Sequence, residues 1–244
     1  MIQYDLEKGV EVLQFALAKH HVGTINPCQV HLTMDVSGSF DDEHSRGYTQ
    51  QLINRFVPFG MLFDKDQTIG SYAFASRCER LKDITKSNFA DYIAKVVKRS
   101  SVYNGGTNYK PIFEMLVEDS KHQESVVQNV GGFFSRLFGG SAPVGENSKP
   151  EKHLHFFVTD GDAHDQNEAR LVLDDLLTKN PNVYFVFISI SGRKLPFIDR
   201  AYGNNPYSMY LNFTPDELRN LQNLTDEDMY EMLLTDTLTT WMNK

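Results

Sequence analysis

The stretch HLTMDVSGSF, residues 31–40, decides how this chain folds. It begins with the apolar character of a buried strand and ends with oxygen-bearing side chains at alternate positions, namely Asp35, Ser37 and Ser39. Such an end is either a polar turn or part of a site for a divalent metal ion, because carboxylate and hydroxyl oxygens suit Mg²⁺ and Ca²⁺. Which of the two applies depends on what the rest of the chain brings to the same place.

Composition and charge narrow the class of protein. The chain has 244 residues, of which 41% are apolar, so it can bury a substantial core as one domain. Its net charge of −8, without a basic stripe, argues against nucleic acid as a partner. Two cysteines, Cys28 and Cys78, are typical of reduced thiols in a cytoplasmic protein. The charged residues 1–14 do not resemble a signal peptide, and no apolar run is long enough for a transmembrane segment.

Alternating strand and helix patterns predict an α/β fold. We expect a doubly wound, mostly parallel six-stranded sheet with helices on both faces and one antiparallel edge strand. The pattern locates five of the strands, at residues 30–36, 68–75, 78–84, 152–159 and 183–190. Amphipathic helices are expected at residues 1–22, 48–57, 87–99 and 225–243, and one more begins at Asp165, where Glu168 completes a pattern of the capping-box kind.

One segment interrupts this alternation. Residues 121–151 contain no strand pattern and become rich in Gly, Ser and Pro, so we expect a flexible insertion within a single domain that spans residues 1–244. Inside it, GGFFSRLFGG (131–140) combines apolar residues with an Arg, as a segment that docks on a partner or a membrane surface would. A short helix on its own domain or a disordered loop is favoured, because about five apolar positions bury too little area to anchor a membrane alone.

Two further loops carry oxygen ligands toward the end of the first strand. Thr107 follows Gly105–Gly106 at the start of a predicted helix, and Asp160 ends the strand over residues 152–159. Alone, Thr107 reads as a helix cap and Asp160 as a turn residue. In an open parallel sheet, however, sites lie beyond the carboxyl ends of the strands, where the strand order reverses. All three motifs are expected at that one edge, which favours a metal site.

These motifs resemble a known arrangement. The order Asp-Val-Ser-Gly-Ser (35–39), Thr107 after Gly-Gly and Asp160 in Thr-Asp-Gly is similar to the metal-ion-dependent adhesion site of von Willebrand factor type A (vWA) domains. The resemblance covers about residues 20–243 and is strongest to the bacterial and phage branch associated with tellurium-resistance proteins, which is similar to copines. Matching features are LEKG (6–9), FVTDGD (157–162), FVFISI followed by LPFID (185–199), and the acidic TDEDMYEMLL (225–234).

The resemblance implies a Rossmann-like fold and a set of metal ligands. These ligands are Asp35, Ser37, Ser39, Thr107 and Asp160. The serines would bind through their hydroxyls, Thr107 directly or through water, and the carboxylates often through bridging waters. The implied ion is Mg²⁺, with Mn²⁺ or Ca²⁺ as alternatives.

The implied function is recognition of a protein partner. An open coordination position on the ion would accept an Asp or Glu carboxylate from that partner, in stress-response complexes of the tellurium-resistance kind or in phage-associated complexes. The site has no nucleophile or general base of its own, so we expect a binding module and not an enzyme.

Three alternatives remain. The first is an enzyme. A Mg²⁺-dependent phosphatase of the haloacid-dehalogenase kind would use Asp35 as nucleophile, but it needs a second Asp where this chain has Ser37. A serine hydrolase would need a G-x-S-x-G elbow, which the sequence lacks. A metal-independent scaffold is the second. The third is a zinc site at His153, His155 and His164, although alternation on a strand is more often ordinary packing and no Cys or carboxylate completes it.

Overall fold

A computed structural model describes residues 4–120, 151–214, 216, 217 and 220–244. Its sheet has six strands in the order β3-β2-β1-β4-β5-β6. They are β1 (Cys28–Asp35), β2 (Gly70–Phe74), β3 (Cys78–Arg80), β4 (Lys152–Thr159), β5 (Val183–Ser189) and β6 (Ser208–Asn212). Every neighbouring pair is parallel except β2 and β3, so the predicted fold class is confirmed. The sixth strand, β6, is a short and half-buried edge strand whose apolar pattern is too weak to locate it.

Helices cover both faces of this sheet. They are α1 (Leu6–Lys19), α2 (Asp41–Ser45), α3 (Tyr48–Phe63), α4 (Tyr92–Lys95), α5 (110–120), α6 (Gln166–Lys179), α7 (Pro196–Tyr202), α8 (Asp226–Leu233) and α9 (Asp236–Asn243). One core layer joins the sheet to α1, α3, α8 and α9, and the other joins it to α5, α6 and α7. None of these helices, in the described part of the chain, combines the length and apolar character that a membrane crossing requires.

The position of β1 explains why the site can form at its end. Strand order runs outward from β1 through β2 on one side and through β4 on the other, so the topology reverses beside β1. Seven of its eight residues are buried, which the apolar alternation of its sequence permits. Asp35 is its last residue and therefore lies at the switch point, where α/β sheets bind ligands.

The prediction of one continuous helix over residues 87–99 is wrong. Only α4 is α-helical there, with 3₁₀ turns at Phe89–Asp91 and Val97–Arg99. The Gln50 side chain explains the break, because its amide donates to the Phe89 carbonyl at 2.7 Å and accepts from the Ile93 N–H at 3.2 Å. A continuous helix would pair those two backbone groups with each other. A tertiary contact thus replaces a local one.

The helix predicted over residues 225–243 is two helices, α8 and α9. Thr225 and Asp228 form a capping box at the start of α8. Thr235 then caps α9, with its side chain accepting from the Leu238 N–H at 3.5 Å. The chain therefore contains a second helix start at Thr235, which cannot be recognised from the broad apolar face that runs through this region.

The insertion predicted at residues 121–151, with the docking segment 131–140, lies outside the described residues except for Glu151.

Asp165 caps a different helix from the one predicted. Helix α6 does begin directly after Asp165, but the carboxylate makes no capping bond to it. Instead its oxygens accept the backbone N–H groups of Tyr109 at 2.8 Å and Lys110 at 2.9 Å. These donors belong to the start of α5 and have no partner within that helix. Asp165 therefore fastens α5, which follows the Thr107 loop, to the loop after β4.

We expect Asp165→Ala to lower the free energy of unfolding by about 1 to 2 kcal/mol, because two N–H donors at a helix start lose their acceptor. Urea denaturation followed by circular dichroism measures this change. Asp175→Ala is the matched control, since Asp175 is an exposed α6 carboxylate that pairs with Lys179. Its loss should stay within about 0.5 kcal/mol. Equal losses in both variants would contradict the assigned cap.

Candidate metal site

The carboxylate of Asp35 is held rigidly at the end of β1. The Ser37 N–H donates to its Oδ1 at 2.8 Å, and the Thr159 hydroxyl donates to its Oδ2 at 2.7 Å. The residue is fully buried. Both carboxylate oxygens are thus oriented before any ligand arrives, and one of the two donors comes from the neighbouring strand β4.

A line of oxygens leads from this carboxylate to the loop after β4. The Ser37 Oγ lies 3.2 Å from the Ser39 Oγ, and the Ser39 hydroxyl donates to Asp160 Oδ1 at 3.1 Å. Of the five predicted ligands, four are therefore brought together by direct hydrogen bonds: Asp35, Ser37, Ser39 and Asp160. They come from two loops that are far apart in sequence.

Thr107 reaches the site through the backbone of its loop. Gly38 donates its N–H to the Gly105 carbonyl at 3.0 Å, and Ser37 pairs with Gly105 as an isolated bridge. On the other side, the Thr107 carbonyl accepts the N–H of His164 at 2.9 Å. Among the described residues, no hydrogen bond joins the Thr107 hydroxyl to the other four side chains. The structure therefore places the Thr107 loop between the two others without a direct side-chain bond.

Two glycines lie where these loops approach each other. A Cβ on Gly105 would lie 2.9 Å from the Cβ of Ala75, and a Cβ on Gly38 would lie 2.9 Å from the Asn104 Oδ1. Real Cβ atoms do not come so close to a rigid neighbour. Glycine at position 105 is therefore what lets the loops meet at the end of β1, whereas the Asn104 side chain beside Gly38 can move aside.

The site is electrostatically suited to a cation. Burial raises the pKa of Asp35 to about 7, and the nearby charge of Asp160 adds to this rise. The hydrogen bonds to Asp35 favour its charged form and act in the opposite direction. Burial also raises the pKa of Asp160, which Arg193 partly offsets. Two poorly solvated carboxylates beside hydroxyl oxygens fit the oxygen shell of a hard divalent ion, which would favour their charged forms.

Sequence reasoning missed two residues that support Asp35. Thr159 binds its carboxylate, and the buried His44 places Nε2 3.1 Å from its backbone oxygen and Nδ1 2.9 Å from the Thr49 Oγ1. Burial lowers the pKa of His44 to about 4, so its ring is neutral. Thr159 was detectable only from the register of β1 against β4, and His44 carries no local signal.

The three histidines weighed as a zinc site do not lie together. His164 lies beside Gly106, at the carboxyl edge of the sheet. His153 and His155 lie near the start of β4 and share a face, as their alternation indicates. Their neighbour there is His31 of β1, which sequence reasoning did not associate with them.

We expect Thr159→Val to lower the free energy of unfolding by about 1 to 3 kcal/mol, because the buried Asp35 carboxylate loses a hydrogen-bond donor. Thr33→Val is the matched control, since Thr33 is an equally buried strand threonine whose hydroxyl has no hydrogen-bond partner in the described part of the chain. Its replacement should be neutral or stabilising. Chemical denaturation of both variants in parallel measures the difference, and a control as damaging as Thr159→Val would refute the assigned role.

Comparison with known proteins bears on the fold of the chain. A family model described as the vWA found in the TerF C terminus matches residues 27–135. The predicted resemblance to vWA domains is thereby confirmed, and the matching branch is the TerF-like one. No curated protein matches the chain significantly.

Solved structures share the fold at low identity. Proximal thread matrix protein 1 from the mussel byssus is 16% identical, with a TM-score of 0.55, over 88% of this chain and 48% of that protein. The manganese-loaded TRAP protein of Plasmodium vivax is 17% identical, with a TM-score of 0.50, over 77% of this chain and 69% of that one. The chain thus spans about half the length of the mussel protein. At such identities these likenesses show the fold alone.

Proposed function

We propose that this chain, which carries a vWA fold of the TerF-like type, is a protein-interaction module that binds a partner carboxylate through a divalent cation. The observation that supports this most directly is a continuous set of hydrogen bonds: Asp35 accepts the Ser37 N–H, the Ser37 and Ser39 hydroxyls bond to each other, and Ser39 donates to Asp160. These four residues, with Thr107, would hold the ion. When bound, the ion would supply a positive charge and a coordination position open to an acidic side chain.

Mg²⁺ is the proposed ion, with Mn²⁺ and Ca²⁺ as alternatives, because hard-oxygen sites accept each of them. The Plasmodium vivax neighbour is manganese-loaded, which supports a divalent cation in this fold. Asp35 and Asp160 together carry the charge needed to balance a divalent ion. If they bind partly through water, as the resemblance implies, the ion retains enough Lewis acidity to attract a third carboxylate from a partner.

Recognition is favoured over catalysis by the groups around Asp35. The nearest buried imidazole, His44, has both ring nitrogens engaged, with the Asp35 carbonyl and the Thr49 hydroxyl. It is therefore not free to remove a proton from water or a substrate. Ser37 also stands where a phosphatase of the kind considered above would need a second carboxylate. We therefore propose a non-enzymatic role.

The TerF-like match suggests where such a module would act. We propose a complex in stress response, of the tellurium-resistance kind, or an associated phage complex. A cytoplasmic location is part of this proposal and is consistent with two cysteines that form no disulfide.

We expect Mn²⁺ or Mg²⁺ to stabilise the protein, because an ion that binds only the folded state at 100 times its Kd adds about 2.7 kcal/mol. Thermal unfolding with and without each ion measures this. Asp160→Asn should weaken ion binding by about tenfold or more, since a half-buried carboxylate is lost from the site. Asp162→Asn is the matched control, because this carboxylate accepts the Phe197 N–H instead, which an amide oxygen can also do. Equal affinities of the two variants would contradict the proposed ligand set.

Partner binding should depend on the metal. Affinity capture from the native host, with Mg²⁺ and with EDTA, is expected to yield a partner only when metal is present and Asp35 is intact. Asp35→Ala is the direct test, and Ser39→Ala, at an exposed position, is the variant least able to perturb folding. A captured set that chelation and both substitutions leave unchanged would favour the metal-independent scaffold.

A further inference from the structure

A second cluster of metal-ligating side chains lies away from the oxygen site. His31 of β1 and His153 and His155 of β4 are all buried, on the sheet face that packs against α5, α6 and α7. His31 pairs directly with His155 in the register of the two strands, and His153 is the next residue on the same face. One ring nitrogen from each residue lies within 4.8 Å of the others. Two rigid central strands therefore bring three imidazoles together.

The hydrogen bonding of this cluster is incomplete. His31 Nε2 lies 3.1 Å from His153 Nδ1, so these two rings share one hydrogen bond. The Nδ1 atoms of His31 and His155 are buried and have no hydrogen-bond partner among the residues that the structure describes. Leaving a buried polar atom unsatisfied costs about 1 to 3 kcal/mol. Two such atoms in one cluster are therefore candidates for binding a further group.

We propose that His31, His153 and His155 form a site for a divalent transition metal of the Zn²⁺ kind, separate from the oxygen site. Neutral imidazole is a preferred ligand of Zn²⁺, whereas Mg²⁺ and Ca²⁺ prefer oxygen. Burial lowers the pKa of each of the three histidines, so all three are neutral and need release no proton to bind a metal. Three histidines supply three of four tetrahedral positions and leave the fourth for water or another ligand.

Metal binding requires the rings to turn. The His31 and His155 rings are stacked at 4.4 Å with 14° between their planes, whereas a bound ion lies in the plane of each ring that holds it. The His31 ring already packs against Gly70, since a Cβ there would lie only 2.8 Å from the His31 Nδ1, so position 70 must be glycine for the ring to lie where it does. The stack would therefore open by rotation about the side-chain torsions of His31 and His155 in directions other than toward Gly70.

Charged residues near the histidine cluster influence how well it would hold a positive ion. Arg80 disfavours a positive charge on His31, but its guanidinium is paired with Asp83 and Asp119. Glu151 has the opposite effect and favours a positive charge on His153. Hydroxide in the fourth position would offset part of the remaining charge, because zinc lowers the pKa of bound water to near neutrality.

Packing alone is the competing explanation. The His155 ring also stacks on Phe185 at 4.8 Å, and the Phe185 ring on Phe187 at 5.3 Å, so the histidines extend a row of aromatic rings across the sheet. A cluster that serves packing alone takes up no metal. It would also accept an aromatic residue without polar atoms in place of His155 at little cost. These two outcomes separate the explanations.

The test uses the full chain in excess Mg²⁺, which occupies the oxygen site, and adds Co²⁺ or Zn²⁺. We expect one tightly bound ion per chain and the intense visible absorption of tetrahedral Co²⁺ with nitrogen ligands. No binding, a weak octahedral spectrum, or a thiolate-to-cobalt band that assigns the ion to Cys28 or Cys78 would each overturn the proposal. This measurement needs no variant, so it remains decisive even if a substitution prevents folding.

Variants then assign the ligands. His155→Phe keeps an aromatic ring against Phe185, and His153→Gln alters the edge of the cluster. Loss of a residue that only hydrogen-bonds to a metal ligand weakens metal binding roughly tenfold. Each of these two variants should weaken Zn²⁺ binding by more than that. His21→Asn is the matched control, because His21 is an exposed histidine with a φ of 61°, which Asn tolerates. Retention of wild-type Zn²⁺ affinity in His155→Phe or His153→Gln would refute the assignment. Mg²⁺ affinity should stay unchanged in all three variants.

Discussion

The buried carboxylate of Asp35 is the constraint on which the rest of the site depends. A charged group with no exposure to water is costly unless hydrogen bonds or a cation compensate it, and here the Ser37 N–H and the Thr159 hydroxyl supply two hydrogen bonds. The first bond shapes the loop after β1, and the second requires β1 and β4 to be neighbours in one register. The same two contacts therefore fix the loop, the strand pairing and the orientation of the carboxylate.

This constraint also explains why the ligands converge from distant parts of the sequence. Asp35 and Asp160 both follow strands whose carboxyl ends meet at the topological switch point. The backbone bond from Gly38 to Gly105 brings in the third loop. Asp165 then ties the helix that follows this third loop to the loop after β4. The position of Thr107 is thus set by backbone contacts, which leave its hydroxyl free of the other four side chains.

Much of this arrangement could be predicted from periodicity and strand-end motifs, because an apolar strand that ends in oxygen ligands has few structural solutions. The parallel sheet, its antiparallel edge and the residues at its carboxyl edge follow from local pattern. What could not be predicted depends on contacts between distant residues. The Gln50 amide breaks a helix whose own spacing is regular, and His31 joins His153 and His155 only because of strand register. Local patterns carry no information about such partners.

The paired strands β1 and β4 hold two chemically different clusters, one at their carboxyl end and one nearer their start. At their carboxyl end the ligands are oxygens from loops, which can shift and so suit an ion that exchanges water for a partner carboxylate. Nearer their start, His31 and His155 face each other from strands buried in the sheet, where only side chains can move. An ion held there would rigidify the two strands that position Asp35 and Thr159. The two clusters thus share one strand pair but differ in ligand chemistry, in mobility and in the kind of metal ion that each suits.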